Sequence, residues 1–156
     1  MQGDHTYFVG ASAYEKQFIL QSERSARLLI DVLYHYRAED KFLLHAFVVM
    51  PNHFHLILTP APGITLERAM QFIKGGSSFR AKKELGMNGS IWQPGYFDYR
   101  VRDEEDFRKR REYIHQNPVR AHLVGRAADF PFSSANPAFG VDDIPQRLKP
   151  ETLTTR

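Results

Sequence analysis

Two pairs of residues in this chain have the types and spacing to do chemistry together. The first is His53 and His55, which flank Phe54 within Met50-Pro51-Asn52-His53-Phe54-His55-Leu56-Ile57-Leu58-Thr59. A strand alternates its side chains between two faces. On a strand, His53, His55 and Ile57 share one face; Phe54, Leu56 and Leu58 share the other and can enter a core. Two neutral imidazoles side by side can bind one divalent cation. A single histidine here would read as a surface residue, but a pair just after a Pro-Asn turn invites the metal-binding reading. The second pair is Tyr113 and Asn117. Four residues apart on a helix, they are neighbours, so a phenol and an amide oxygen project together. They can supply a nucleophile and a third metal ligand. Taken alone, a tyrosine followed by an asparagine near a helix end is commonly just packing and capping.

The elements that must position these pairs can be read from the pattern. Tyr7 to Ala13 reads as a first strand, followed by a loop through Glu15-Lys16-Gln17. Ser22 or Ser25 can cap a helix running to about Ala38, with Leu28, Leu29, Val32, Leu33 and Tyr36 in one apolar stripe. Leu43 to Met50 is a second strand. Pro51-Asn52 breaks it, and the histidine strand runs back as the other arm of a hairpin. Thr59-Pro60-Ala61-Pro62-Gly63 reads as a loop. Thr65 caps a helix beginning at Leu66, which Gly75-Gly76 should weaken or kink. Gly86 to Gly95 is loop-like, and Tyr96 to Val101 is a last strand. Asp103 caps a final helix with Glu104, Glu105 and Asp106 in its first turn. In that helix Phe107 and Ile114 share the buried face, and Pro118 should end it.

This order gives an α+β fold, a ferredoxin-like antiparallel sheet with helices packed on it. The apolar face of the histidine strand would lie under the first two helices. The late helix would cross the opposite face and carry Tyr113 and Asn117 to the histidines. Residues 1–135 read as one domain, and residues 136–156, with three prolines and little pattern, as a loosely attached extension.

Composition narrows the function classes. A chain of 156 residues, 42% apolar and 25% charged, is an ordinary globular protein with a real core. The absence of cysteine excludes disulfides and thiolate metal sites and fits a cytoplasmic protein. Met1-Gln2-Gly3-Asp4-His5 has neither the basic nor the apolar part of a signal peptide. No apolar run is long enough for a transmembrane helix. The net charge of +3 permits nucleic-acid binding without requiring it. Lys74, Arg80, Lys82 and Lys83, interleaved with Phe72 and Phe79, suit contact with single-stranded nucleic acid, or form a solvated helix face. Arg108, Arg110 and Arg120 are further candidates for phosphate contact.

The motifs carry a resemblance. His53-Phe54-His55 is similar to the His-hydrophobic-His motif of the HUH endonucleases. Met50 to Leu56 and Tyr113-Ile114-His115-Gln116-Asn117-Pro118-Val119-Arg120-Ala121 together resemble the two signature blocks of the REP-associated tyrosine transposases. Ile91-Trp92-Gln93 and Asp129-Phe130-Pro131-Phe132-Ser133-Ser134 also look like family segments, and the likeness covers about residues 5 to 135. His122 departs from it, where a glycine is usual, as does Gly75-Gly76-Ser77, where basic and bulky residues are common.

The resemblance implies a single-strand DNA endonuclease and strand transferase acting at hairpins. Tyr113 would be the nucleophile and form a 5′-phosphotyrosine. His53, His55 and Asn117 would hold Mg²⁺ or Mn²⁺, although two histidines equally suit Zn²⁺ or Ni²⁺, and Gln116 competes as third ligand. His115 offers a further contact, although such a residue is more often just exposed. The partner would be a hairpin or palindromic repeat, bound by a monomer or a homodimer. Three other readings remain: a DNA-binding regulator without cleavage, a metal-dependent phosphoesterase without a covalent intermediate, and a plain structural α+β module.

Overall fold

Among residues 5–149, which the computed structural model describes, four strands and three helices alternate. They are β1 (Thr6–Ser12), α1 (Glu23–Ala38), β2 (Phe42–Met50), β3 (His53–Pro60), α2 (Leu66–Leu85), β4 (Phe97–Val101) and α3 (Glu104–Arg120). The strands form one antiparallel sheet in the order β2-β3-β1-β4, the ferredoxin-like α+β arrangement expected. The expected caps are present. The side chains of Ser22, Thr65 and Asp103 accept the backbone N–H of Ser25, Arg68 and Asp106 and so satisfy donors left free in each first turn. Among the described residues no helix is long and apolar enough to cross a membrane.

Side-chain alternation along β3 divides the protein into two layers. Phe54, Leu56 and Leu58 pack with Leu29 and Leu33 of α1 and Met70 and Ile73 of α2. Ile57 points the other way and packs with Phe8, Phe107 and Ile114 beneath α3. All four β3 residues are fully buried. Each such side chain contributes about 1.5–3 kcal/mol by leaving water.

Several expectations need correction. Pro118 does not end the last helix, which runs on to Arg120. Its ring is buried, and near a helix end it forfeits only the hydrogen bond that an N–H there would have made to the preceding turn. Gly75-Gly76 does not interrupt α2. Gly76 instead lets α1 and α2 approach, since a Cβ there would stand 2.9 Å from the Tyr36 ring. Thr59 and Pro60 are the end of β3 rather than loop, Pro60 lying opposite Phe42. His122 has φ of 60°, in the left-handed region. A glycine there would avoid a cost of about 1–2 kcal/mol.

The stretch after Asn136 is held far more closely than its proline content implies. Asp142 receives both the Nε and a terminal nitrogen of Arg37 at 2.9 Å, and the Leu44 N–H at 2.8 Å. Phe139 packs edge-on against Phe47, with ring centres 5.2 Å apart. A buried polar chain ties the same stretch to the sheet. His45 faces the Asp142 and Asp143 carbonyls through Nδ1 and the Thr59 hydroxyl through Nε2. Carbonyls only accept, so Nδ1 carries the proton and Nε2 accepts from Thr59. Thr59 then accepts from Thr6, and Thr6 from Arg147. Residues 1–4 and 150–156, including most of the segment read for a signal peptide and the end of the extension, lie outside the described residues.

The two helix glycines should separate in a stability measurement. Gly75→Ala meets open space and should gain about 1 kcal/mol of helix propensity. Gly76→Ala gains the same propensity but collides with Tyr36, and should unfold at lower denaturant than Gly75→Ala. Urea midpoints of the two variants give the order.

Candidate active site

The structure brings His53 and His55 onto the α3 face of β3, with ring centres 5.1 Å apart. The neighbouring strand supplies Ser12 opposite His53 and Gly10 opposite His55. Gly10 is required by closeness alone: a Cβ there would stand 2.7 Å from His55 Nδ1 and 2.8 Å from Cε1. The His55 ring is also stacked on Phe8, centres 5.3 Å apart and planes inclined by 20°. On His53, Nδ1 lies 2.7 Å from Asn52 Oδ1. That oxygen can only accept, so the proton sits on Nδ1 and the Nε2 lone pair is left for a ligand, the usual outer-shell arrangement for a metal-binding histidine. On His55 the buried Nδ1 has no hydrogen-bond partner of good geometry, and the Val9 backbone favours its proton only weakly.

Both imidazoles are held neutral. Burial lowers His53 below the ordinary histidine value. Burial first, then the adjacent His53, pushes His55 down to about 4. Two neutral imidazoles side by side, with the His53 Nε2 lone pair left free, fit a divalent cation. No group of three or more His, Cys, Asp or Glu that could hold a metal occurs among the described residues.

Tyr113 stands where α3 passes the histidines. Its ring is 45% exposed, 5.7 Å from the His55 ring and 5.8 Å from Phe8. Arg120 lies over its face at 4.3 Å and donates to its backbone carbonyl at 2.7 Å. Asn117 is one turn further along the same helix and half-buried. Gln116 is half-buried too. His115, read as exposed, is half-buried and joined to Ser134 Oγ at 2.9 Å, because the chain after α3 folds back beside it.

Of the other candidate cations, Lys74 and Arg110 reach the flank of the site, through the Gln93 and Gly95 carbonyls and the Phe8 ring, and the rest do not converge on it. Lys74 is committed to the carbonyls of Gln93 and Gly95 at 3.0 and 2.7 Å, and burial lowers its pKa. Arg80 pairs with Glu84 at 2.6 Å, and Arg108 with Glu104 at 2.7 Å. Lys82 and Lys83 are exposed on α2, in the layer away from the histidines. Arg110 stacks on Tyr99 at 3.9 Å and bonds Asp106 at 3.2 Å. Arg120 is the cation that touches Tyr113.

The sequence reading missed one wall of the site. Gln93 to Phe97, with Gly10 to Ser12 and the two histidines, line an open groove of about 220 Å³. The wall is fixed by Trp92 Nε1 donating to Ser77 Oγ, by Gln93 N–H donating to the Ser12 carbonyl, and by Lys74. The Trp92-Gln93 segment was the available signal, but its partners on α2 and β1 are distant in sequence.

Residues 5–117 match the family described as Transposase IS200 like. The chain belongs to that family. A REP-associated tyrosine transposase of Escherichia coli K12 is 30% identical over 99 residues, 63% of this chain and 57% of the relative. This chain thus spans little more than half of that relative's length. A Haemophilus influenzae relative is 24% identical over 144 residues, 81% of each chain. Among solved structures, a REP-associated tyrosine transposase bound to a REP hairpin superposes with a TM-score of 0.71 at 24% identity, covering 94% of this IS200-like chain and 88% of the other. That likeness establishes the shared fold.

The depressed histidines make stability depend on pH. The unfolded chain takes up these protons near pH 6.5; the folded chain takes them up at lower pH, for His55 only near 4. The stability they contribute is present above about pH 6.5 and is lost as pH falls toward 4. For His55 it is on the order of 3 kcal/mol. Urea unfolding between pH 7 and 4.5 should show this fall, and His55→Asn should make it shallower.

Proposed function

We propose that this protein is a single-strand DNA endonuclease and strand transferase that acts beside DNA hairpins, with Tyr113 as its nucleophile. The observation that carries the reading is the partly exposed Tyr113 ring, 5.7 Å from His55 and capped by the Arg120 guanidinium. A lone phenol would need another explanation; this one adjoins the neutral His55 imidazole, which in turn neighbours His53.

His53, His55 and the Asn117 amide oxygen would hold Mg²⁺ or Mn²⁺, which when bound supplies polarisation of the scissile phosphate and offsets its developing charge. The remaining work falls to the chain. The Tyr113 oxygen attacks phosphorus and gives up its proton. The P–O3′ bond breaks, the 3′ oxygen leaves as a hydroxyl, and the 5′ phosphate stays on Tyr113 as an ester. Arg120 offsets negative charge beside the ring. Because the ester conserves the bond, a second 3′ hydroxyl can reseal the strand and restore the tyrosine. Hydrolysis would lose that option. The solved relative bound to a REP hairpin supports a folded palindromic strand as the substrate class.

The test is a denaturing gel of the protein with Mn²⁺ and a labelled single-stranded hairpin from its genomic neighbourhood. A slow-migrating covalent band is expected, and Tyr113→Phe should abolish it and lower cleavage by more than about 10³-fold. Cleavage without a band and unaffected by the substitution would assign hydrolysis instead. Binding with neither, on two different hairpins, would assign a regulator.

A further inference from the structure

The strand row that holds His55 continues across the sheet. Gly10 pairs with His55 on one side and with Phe97 on the other. Directly paired residues point to the same face. Phe97 therefore stands on the face that carries His55 and Tyr113, two strands and about 10 Å from the His55 backbone. The glycine between them has no side chain, and the edge of the His55 ring lies over it. Phe97 is 55% exposed. Its ring meets that of Phe8 in a T-shaped contact, centres 5.8 Å apart and planes inclined by 74°. Phe8 makes the same kind of contact with Tyr113. A large ring is thus fixed in place beside the groove, one side packed and the rest in water.

We propose that Phe97 is a stacking platform for one unpaired nucleobase next to the phosphate that Tyr113 attacks. The proposal rests on the reading of Tyr113 as a nucleophile toward single-stranded DNA. A base has two π faces and stacks on an aromatic side chain whatever its sequence. Phe8 touches both Tyr113 and Phe97, so a strand whose phosphate lies at Tyr113 and Arg120 can carry its adjoining base past the edge of the His55 ring onto Phe97. The groove wall that ends in Phe97 is held by Lys74 and Trp92 before any ligand arrives, which reduces the ordering cost of binding. Phe97 acts here as a binding residue and takes no part in bond making.

The experiment uses the full chain and a hairpin carrying a single-stranded flank, with 2-aminopurine placed at successive flank positions. Wild type and Phe97→Trp should quench one position; Phe97→Ala and Phe97→Leu should not. Affinity for the flanked hairpin should fall about tenfold in the latter two, with affinity for the blunt hairpin unchanged. The Leu variant keeps an apolar side chain on the edge strand, so a loss shared by both variants at unchanged melting temperature is a loss of stacking. Equal quenching and affinity in Phe97→Ala would overturn the platform while leaving the Tyr113 covalent band intact. A change in sedimentation of Phe97→Ala without DNA, with quenching retained, would overturn it in favour of self-association. No quenching and no covalent band from wild type would overturn both readings.

Discussion

The site depends on the burial of β3 on both of its faces. Phe54, Leu56 and Leu58 are fully enclosed under α1 and α2, and Ile57 is fully enclosed under α3. A slip of one residue would exchange the faces. It would carry His53 and His55 into an apolar core and turn three large side chains toward α3. Every alternative register therefore loses several kcal/mol of apolar burial at once. The two imidazoles inherit their spacing from this constraint, and so does their approach to Tyr113, since α3 is anchored through Phe107 and Ile114 in the same layer as Ile57.

That constraint is why so much was legible beforehand. The alternation along β3, the Pro-Asn turn and the caps at Ser22, Thr65 and Asp103 are local, and each specified its element. The layer assignment followed from side-chain alternation, and it placed the histidines opposite α1 and α2. What the sequence did not disclose depends on partners far apart in the chain. Gly10 is an unremarkable strand glycine until His55 is laid across it. Lys74 reads as a surface cation until the Gln93 to Gly95 carbonyls close around its ammonium. Pro118 reads as a helix stop, because the rule that makes it one is local and the burial of its ring is not.

The C-terminal stretch shows the same limit and has a structural role. β2 would be an open edge of the sheet. Instead Val49 N–H donates to the Phe132 carbonyl, and Ser134 N–H donates to the Phe47 carbonyl, so residues 132–134 cover that edge. Uncovered edges invite pairing with other chains. The polar chain from Arg147 through Thr6 and Thr59 to His45 then seals the far end of the sheet, with each group donating in one direction. A bulge between Leu44 and Ala46 falls at His45, where the strand leaves regular pairing and the side chain reaches the returning chain.

The contact between Gly10 and His55 separates the ability to fold from the ability to react. A single added methyl group at position 10 would displace an imidazole edge on the sheet surface while every motif residue stayed in place in the sequence. Descendants of such a chain could keep the sheet and all of His53, His55, Tyr113 and Asn117, yet have the histidine pair distorted. On the proposed function, a lineage drifting from strand transfer toward simple DNA occupancy has this route open to it at one codon. Counting intact motif residues among relatives would not detect the change, but the residue opposite the second histidine would.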